Sequence, residues 1–137
     1  MARDAIEAEK APAIGPYSVA VRANGLVYLS GQTPVDPATG KLAPGGVAEQ
    51  AEQCFRNLRA VLAAARLGMA DVIKVNVYLV DMGDFATLNA VYERQFAEPY
   101  PARTTVAVAA LPFGARVEIE MVARDGTSEP GAPPCPT

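Results

Sequence analysis

The 137-residue sequence contains no histidine at all. Sites in which an imidazole acts as a general base, and zinc sites that use imidazole as a ligand, are therefore excluded. Cysteine is scarce as well, because Cys54 and Cys135 are the only two. Two cysteines are too few for a thiolate metal cage or a disulfide framework. We therefore expect a protein without a metal site, in a reduced, cytoplasmic environment.

The sequence also lacks clustered positive charge and long apolar runs. Its 12 Lys and Arg residues stand singly and the net charge is -3, so no nucleic-acid partner is expected. The opening MARDAIEAEK is charged throughout, and no apolar stretch approaches the roughly 18 residues that span a bilayer. Neither a secretory signal nor a membrane partner is expected. Half of the residues are hydrophobic and 20% are charged, which is typical of a compact globular protein.

Composition divides the chain into one domain and a tail. Residues 1–124 contain no internal repeat and have the length of a single domain. Residues 125–137 contain four prolines and two glycines, a composition that predicts disorder. Cys135 is therefore expected to be an incidental exposed thiol.

The first half of the domain predicts a hairpin followed by a helix. Two strand-like runs, 17–23 and 26–31, flank Asn24-Gly25, a pair that favours a tight hairpin turn. Residues 34–46, with three prolines and three glycines, predict turns only. Apolar residues spaced by three and four then predict a helix over 47–67, ended by a left-handed Gly68.

A strand and a second helix follow. Ile73, Val75, Val77 and Leu79 alternate with mostly polar residues, which predicts a strand with one core face. The second helix is expected to follow Asp81 and Asp84, both possible caps, and to end before Pro99 and Pro101. The residues predicted on its core side are Phe85, Leu88, Tyr92 and Phe96. On the first helix, Cys54 is likewise predicted to pack in the core.

The last two predicted strands, 103–110 and 115–123, flank a turn at 111–114. If they form a hairpin, Arg103 and Thr105 share one sheet face with Glu118 and Glu120. The predicted fold is therefore a single α+β domain, in the order β-β-α-β-α-β-β, with two helices on one face of a mixed sheet. The bare face is apolar enough to predict an oligomer interface, with Tyr78, Val80, Ala107, Ala109 and Val122 as its expected members.

Without histidine, the available acid-base groups are carboxylates, tyrosines and lysines. An enzyme of this composition is therefore expected either to tune a carboxylate or, more easily, to act on a substrate that is already reactive. Arg103 suits a bidentate grip on a small carboxylate, and an interface salt bridge is the alternative. Glu118 and Glu120 suit activation of a water molecule, or they pair with Arg103 and Arg116.

Two further residues suit a pocket, and each has a structural alternative. Tyr17, directly after Gly15-Pro16, either closes a pocket or starts a strand. Gly31, within Ser30-Gly31-Gln32, either allows a ligand or another backbone segment to approach closely or marks a β-bulge.

Taken together, these features resemble the RidA (YjgF) family of enamine/imine deaminases. The resemblance covers nearly all of residues 10–124 and rests on six blocks in the family's order: AIGPYS (13–18), VYLSGQTPVDPATG (27–40), QAEQCFRNLRAVLAAA (50–65), VIKVNVYLVDMGDFATLNAVYERQF (72–96), PARTTV (101–106) and VEIE (117–120). It implies a homotrimer with a barrel-like centre of three sheets and with active sites in the clefts between subunits.

The resemblance also implies residue roles. Arg103 corresponds to the arginine that binds the substrate carboxylate, and Glu118 to the glutamate that positions or activates water. The remaining substrate-binding residues carried over are Tyr17, Ser30, Gly31 and Asn89. Thr105 departs from the family, since many members have cysteine there. That position is thought to act through its backbone, so the departure is compatible with activity and excludes cysteine-based regulation.

The implied reaction is cofactor-free hydrolysis of 2-imino acids, such as 2-iminopropanoate and 2-iminobutanoate, to 2-keto acids and ammonia. Two alternatives stay open: a deaminase of a larger, pathway-specific enamine, and a trimer that binds a 2-keto acid without turnover. Ribonuclease activity has been ascribed to similar proteins, but the acidic balance and the missing histidine disfavour it.

Overall fold

The computed structural model describes residues 3–126 and confirms the predicted single-domain α+β fold. Its elements in chain order are β1 (Asp4–Ile6), β2 (Ala20–Ala23), β3 (Leu26–Gln32), β4 (Val35–Asp36), β5 (Lys41–Leu42), α1 (Val47–Ala64), β6 (Val72–Leu79), α2 (Phe85–Glu93), β7 (Ala102–Ala107) and β8 (Val117–Arg124). Short 3-10 turns lie at Met69–Asp71, Met82–Asp84 and Pro112–Gly114. The short strands β1, β4 and β5 add to the predicted order.

One six-stranded mixed sheet has the order β1-β2-β3-β8-β6-β7. All neighbours are antiparallel except β6 and β7, which are parallel because α2 returns the chain to the same end of the sheet. Strands β4 and β5 form a separate hairpin within 34–46, so the prediction of turns only was wrong there. The core lies between the helices and one sheet face, where Phe55, Leu58 and Leu88 are fully buried.

The Asn24-Gly25 hairpin is confirmed. Both residues have positive φ values, 53° and 76°, as a tight turn between β2 and β3 requires. The strand begins at Ala20 instead of residue 17, because Tyr17 belongs to a turn in which its backbone N–H donates to Gly15 O at 2.8 Å. The register of β3 against β8 shifts between Leu29 and Gln32, so a bulge surrounds Gly31.

Helix α1 ends three residues earlier than predicted. The left-handed residue is Arg66, with φ 64°, and Leu67 N–H donates to Leu62 O at 2.8 Å. This hydrogen bond gives a carbonyl of the last helical turn a partner before the chain reaches Gly68. Arg66 therefore caps the helix, and Gly68 does not. Cys54 is fully buried on α1, as expected, and its thiol donates to Gln32 O at 3.2 Å.

The predicted pattern of β6 and α2 needs one correction. A register irregularity between Val72 and Lys74 turns Val72 into the core and leaves Ile73 45% exposed. The other three alternating residues of β6 are buried as predicted. Helix α2 ends at Glu93, yet Phe96 still packs edge-on against Phe55 with 6.1 Å between ring centroids.

The hairpin predicted for the last two strands was wrong. Strand β6 lies between β7 and β8, parallel to the first and antiparallel to the second. Strand β6, helix α2 and strand β7 follow one another in the chain and form a crossover connection. This crossover places β7 beside β6, at the edge of the sheet.

The predicted sharing of faces was wrong for the same reason. Arg103 pairs with Val75 and Thr105 with Val77, both buried, so Arg103 and Thr105 lie on the helix face. Glu118 pairs with Tyr78 and therefore lies on the opposite, bare face.

The bare face is partly apolar, as predicted, and its predicted members are confirmed in part. Glu118, Glu120, Tyr78 and Val122 lie on it, half-buried. Tyr28 and Val106 are 49% and 42% exposed, whereas Ala107, predicted here, pairs with Leu79 on the helix face.

Asp125, the first residue of the predicted tail, contacts the domain. Asp125 is buried and accepts from Arg22 Nε at 2.5 Å, while Arg22 Nη2 donates to Ala65 O at 3.0 Å. The rest of the predicted tail from residue 127, with Cys135, lies outside the described residues. No helix within residues 3–126 has the length and apolar character needed to cross a membrane.

Candidate active site

Glu118 lies at the start of β8, half-buried on the bare face, directly against the β3 bulge. A Cβ atom at residue 31 would lie 3.1 Å from Glu118 Cδ and closer still to Oε2. Gly31 therefore makes room for the carboxylate. The predicted bulge is confirmed, and the close approach of a ligand stays a prediction.

The carboxylate of Glu118 is uncompensated within residues 3–126, where it has no ion pair and no hydrogen bond. Burial raises the pKa of Glu118 above its ordinary value, and the nearby negative charge of Glu120 raises it further. Among the described residues, neither glutamate pairs with an arginine. Tyr78 OH donates to Glu120, which raises the pKa of Tyr78 to about 12, and Arg116 instead binds Asp84 through two contacts of 2.9 Å.

A cavity of about 360 Å³ opens beside Glu118. Its lining residues are Ile14, Tyr17, Ser30, Gly31, Thr33, Pro112, Phe113 and Glu118. Tyr17 is 46% exposed there, and Ser30 Oγ is already engaged, since it donates to Ser18 O at 2.7 Å. We call this group of lining residues the glutamate half-site.

A second group of polar residues surrounds Arg103 on the helix face. The guanidinium carbon lies 4.6 Å from the Tyr92 ring centroid and 5.5 Å from that of Phe85. These aromatic faces of α2 hold the cation by its electrostatic attraction to the ring electrons. Arg103 has no ion pair or hydrogen bond within the described part of the chain, so its five N–H donors remain available.

Three buried polar atoms nearby also have no hydrogen-bond partner within the described residues: Asn89 Oδ1, Tyr92 OH and Thr105 Oγ1. Asn89 and Tyr92 lie three residues apart on one face of α2, and Thr105 follows Arg103 on the same face of β7. Burial raises the pKa of Tyr92, and the Arg103 charge opposes that shift. Unpartnered buried polar atoms are rare in proteins, so this cluster points to a missing partner. We call Asn89, Tyr92, Arg103 and Thr105 the arginine half-site.

The two half-sites are separate within one chain. Arg103 and Glu118 pair with positions three residues apart on β6 and lie on either side of it. Strand dimensions then separate their Cα atoms by about 14 Å, with side chains on opposite faces. One subunit alone cannot bring both charges to one small molecule.

All seven residues predicted for the site thus lie in one half-site or the other: Tyr17, Ser30, Gly31 and Glu118 in the first, and Asn89, Arg103 and Thr105 in the second. Sequence reasoning missed Tyr92, which it assigned to the core, and also Ile14 and Phe113. The spacing of Asn89 and Tyr92 on one helix face was the available signal for the first.

Comparison with known proteins shows the family of the chain. A sequence model described as endoribonuclease L-PSP matches residues 8–125. The chain belongs to this family, which is also called the RidA (YjgF) family. A protein of Bos taurus named 2-iminobutanoate/2-iminopropanoate deaminase is 49% identical over 127 residues, covering 92% of this chain and 93% of the relative.

Two solved structures of this family are similar along nearly their whole length. RidA from an Antarctic Psychrobacter species is 49% identical, with a TM-score of 0.85, over 89% of this chain and 99% of that one. E. coli TdcF with bound serine is 43% identical, with a TM-score of 0.83, over 88% and 98% of the two chains.

Proposed function

We propose that the protein is a cytoplasmic homotrimer that hydrolyses 2-imino acids to 2-keto acids and ammonia, without a cofactor. The observation that carries the proposal is the pair of half-sites, each with one uncompensated charge on a different sheet face. Relatives named 2-iminobutanoate/2-iminopropanoate deaminase, at 47–49% identity, support this reaction. Serine bound to TdcF supports a ligand of amino-acid size.

The arginine half-site suits the substrate carboxylate. Arg103 offers a planar fork of N–H donors that matches a carboxylate in two parallel hydrogen bonds. Its backing by Tyr92 and Phe85 limits the orientations that the fork adopts. Asn89 and Thr105 would hydrogen-bond the substrate or an ordered water molecule, which gives their unpartnered atoms a partner.

The glutamate half-site suits the water that attacks. Glu118 accepts a proton from water while the water oxygen forms a bond to the imine carbon, and the imine nitrogen takes up a proton. The resulting carbinolamine then forms its C=O bond, and its C–N bond breaks. Both protons of the water end on nitrogen, which leaves as ammonia. A positioned base contributes about 10²- to 10⁴-fold, which is sufficient because the C=N bond is already reactive.

The bare sheet face supplies the surface for assembly. Tyr28 and Val106 are exposed on it, and Tyr78 and Val122 are half-buried there. A trimer in which this face turns inward would bring β7 of one subunit towards the β3–β8 end of the next. Each complete site would then take Arg103 from one subunit and Glu118 from its neighbour.

RNA is a poorer substrate for this site, although the family description includes ribonuclease activity. Glu118 is the only charged residue that lines the cavity within the described chain, and it would repel phosphates. The net charge of -3 acts in the same direction.

The test is complementation between two inactive variants. Arg103→Ala and Glu118→Ala trimers are each expected to lose nearly all hydrolysis of 2-iminopropanoate. If the two are unfolded and refolded together in equal amounts, about one quarter of the sites regain both residues. The rate of 2-keto acid formation should recover to about one quarter of the wild-type rate.

Refolding each variant alone is the matched control and should restore nothing. Mixed trimers without recovered activity would contradict a site shared between subunits. A wild-type protein that binds 2-keto acids but leaves imines unchanged would favour the regulatory alternative, and turnover of only larger enamines would favour the pathway-specific deaminase.

A further inference from the structure

Phe113 is the most unusual residue of the glutamate half-site. It has φ 63°, in the left-handed region that bulky side chains rarely adopt, and it is followed by Gly114 at φ 71°. Phe113 as a whole residue is 60% exposed, so it contributes little to the core. A strained backbone that carries an exposed aromatic ring is poorly explained by folding alone, and such residues cluster at ligand sites.

The position of Phe113 is consistent with a ligand role. Phe113 lines the cavity beside Glu118, together with Pro112, Ile14 and the ring of Tyr17. These four residues give the cavity an apolar wall. Ser30 and Thr33 are its neutral polar members, and the Ser30 hydroxyl already donates to Ser18 O.

Charge determines which part of a 2-imino acid meets this wall. No residue lining the cavity within the described chain is basic, and Glu118 would repel the substrate carboxylate. The carboxylate therefore belongs at Arg103, and the reacting carbon belongs beside Glu118. The side chain of the substrate is the part that remains, and it faces Phe113 and Ile14.

We infer that Phe113 determines substrate specificity, and that its apolar wall makes the enzyme prefer 2-imino acids with a large apolar side chain over 2-iminopropanoate. This inference rests on the proposed function. Burial of additional methyl and methylene groups against an aromatic ring favours the larger substrate, because each group leaves water. Discrimination by one apolar contact in an enzyme pocket is roughly tenfold or more.

The experiment compares two imines, generated in situ from L-alanine and L-leucine by an amino-acid oxidase. The quantity measured is the ratio of kcat/KM for the leucine-derived imine to that for the alanine-derived imine, above the uncatalysed background. The wild-type ratio should exceed one. Phe113→Gly should lower it roughly tenfold, and Phe113→Leu should give an intermediate value.

Arg66→Gly is a matched control for the backbone. Arg66 is exposed, has φ 64° and lies at the end of α1, away from the cavity. Glycine relieves the same strain at either position, so both variants should keep or raise the melting temperature. Arg66→Gly should leave the substrate ratio unchanged.

The possible failures are distinguishable. An unchanged ratio in Phe113→Gly, with both imines still hydrolysed, would overturn the role of Phe113 and leave the proposed function intact. A wild-type ratio below one would overturn the preference for large side chains. If the wild-type protein hydrolyses neither imine, the proposed function fails and the inference fails with it.

Discussion

The Glu118 carboxylate shows how neighbouring groups set the chemistry of a single residue. Burial and the charge of Glu120 both raise its pKa, so more of the carboxyl is protonated at mildly acidic pH than in an exposed glutamate. A base must be ionised to accept a proton from water. The proposed reaction should therefore slow as the pH falls through the raised pKa. The plot of kcat/KM against pH should show this fall, its acidic limb, at a pH above the ordinary pKa of glutamate.

Glu120→Gln should move that limb. The amide removes the negative charge and can still accept the hydrogen bond from Tyr78, so the pKa of Glu118 should fall while the part caused by burial remains. We expect the acidic limb of kcat/KM to shift to lower pH, and the pKa of Tyr78 to fall from about 12.

Glu93→Gln, an exposed carboxylate on α2, removes the same formal charge and is the control. It should leave the limb where it is. An identical limb in Glu120→Gln and wild type would show that a group other than Glu118 controls the reaction.

Helix α2 is held to the start of β8 by the Asp84–Arg116 pair, which thereby links the elements of the two half-sites. Both carboxylate oxygens of Asp84 lie 2.9 Å from Arg116 Nη2, and the Asp84 side chain is only 14% exposed. Asp84→Asn should lower the free energy of unfolding by about 1 kcal/mol, because Arg116 is partly exposed and remains hydrated. Thermal unfolding should then occur a few degrees lower.

A second ion pair, between α1 and the residue that follows α2, provides the control. Arg94 and Glu52 are 62% and 35% exposed, so Glu52→Gln should change the unfolding free energy by less than about 0.5 kcal/mol. If both variants lost the same unfolding free energy, burial of Asp84 would not strengthen its ion pair with Arg116.

The whole molecule is expected to be a trimer, because one chain leaves a partly apolar sheet face bare and its two half-sites apart. Three chains of 14.3 kDa give an assembly of about 43 kDa. Light scattering at micromolar concentration should report this mass for the wild-type protein. A stable monomer that hydrolyses imines at the full rate would contradict both the assembly and the divided site.

Local sequence determined the features whose interactions are close in the chain. Asn24-Gly25 directs the hairpin because both residues tolerate positive φ, and the apolar stripe of α1 places Cys54 in the core wherever that helix docks. The six sequence blocks named seven residues that fall within the two half-sites, because a family motif is read without the fold, and the roles of these residues stay predictions.

Only the tertiary structure decided which residues meet. Alternation along a strand shows that neighbouring side chains point to opposite faces, but it does not identify the strand that pairs alongside. The 111–114 turn suggested a hairpin, whereas the α2 crossover places β6 between β7 and β8. That insertion puts Arg103 and Glu118 on opposite faces of the sheet. Strand order depends on contacts between distant segments and on the packing of a helix over them, so it becomes definite only when the whole domain has folded.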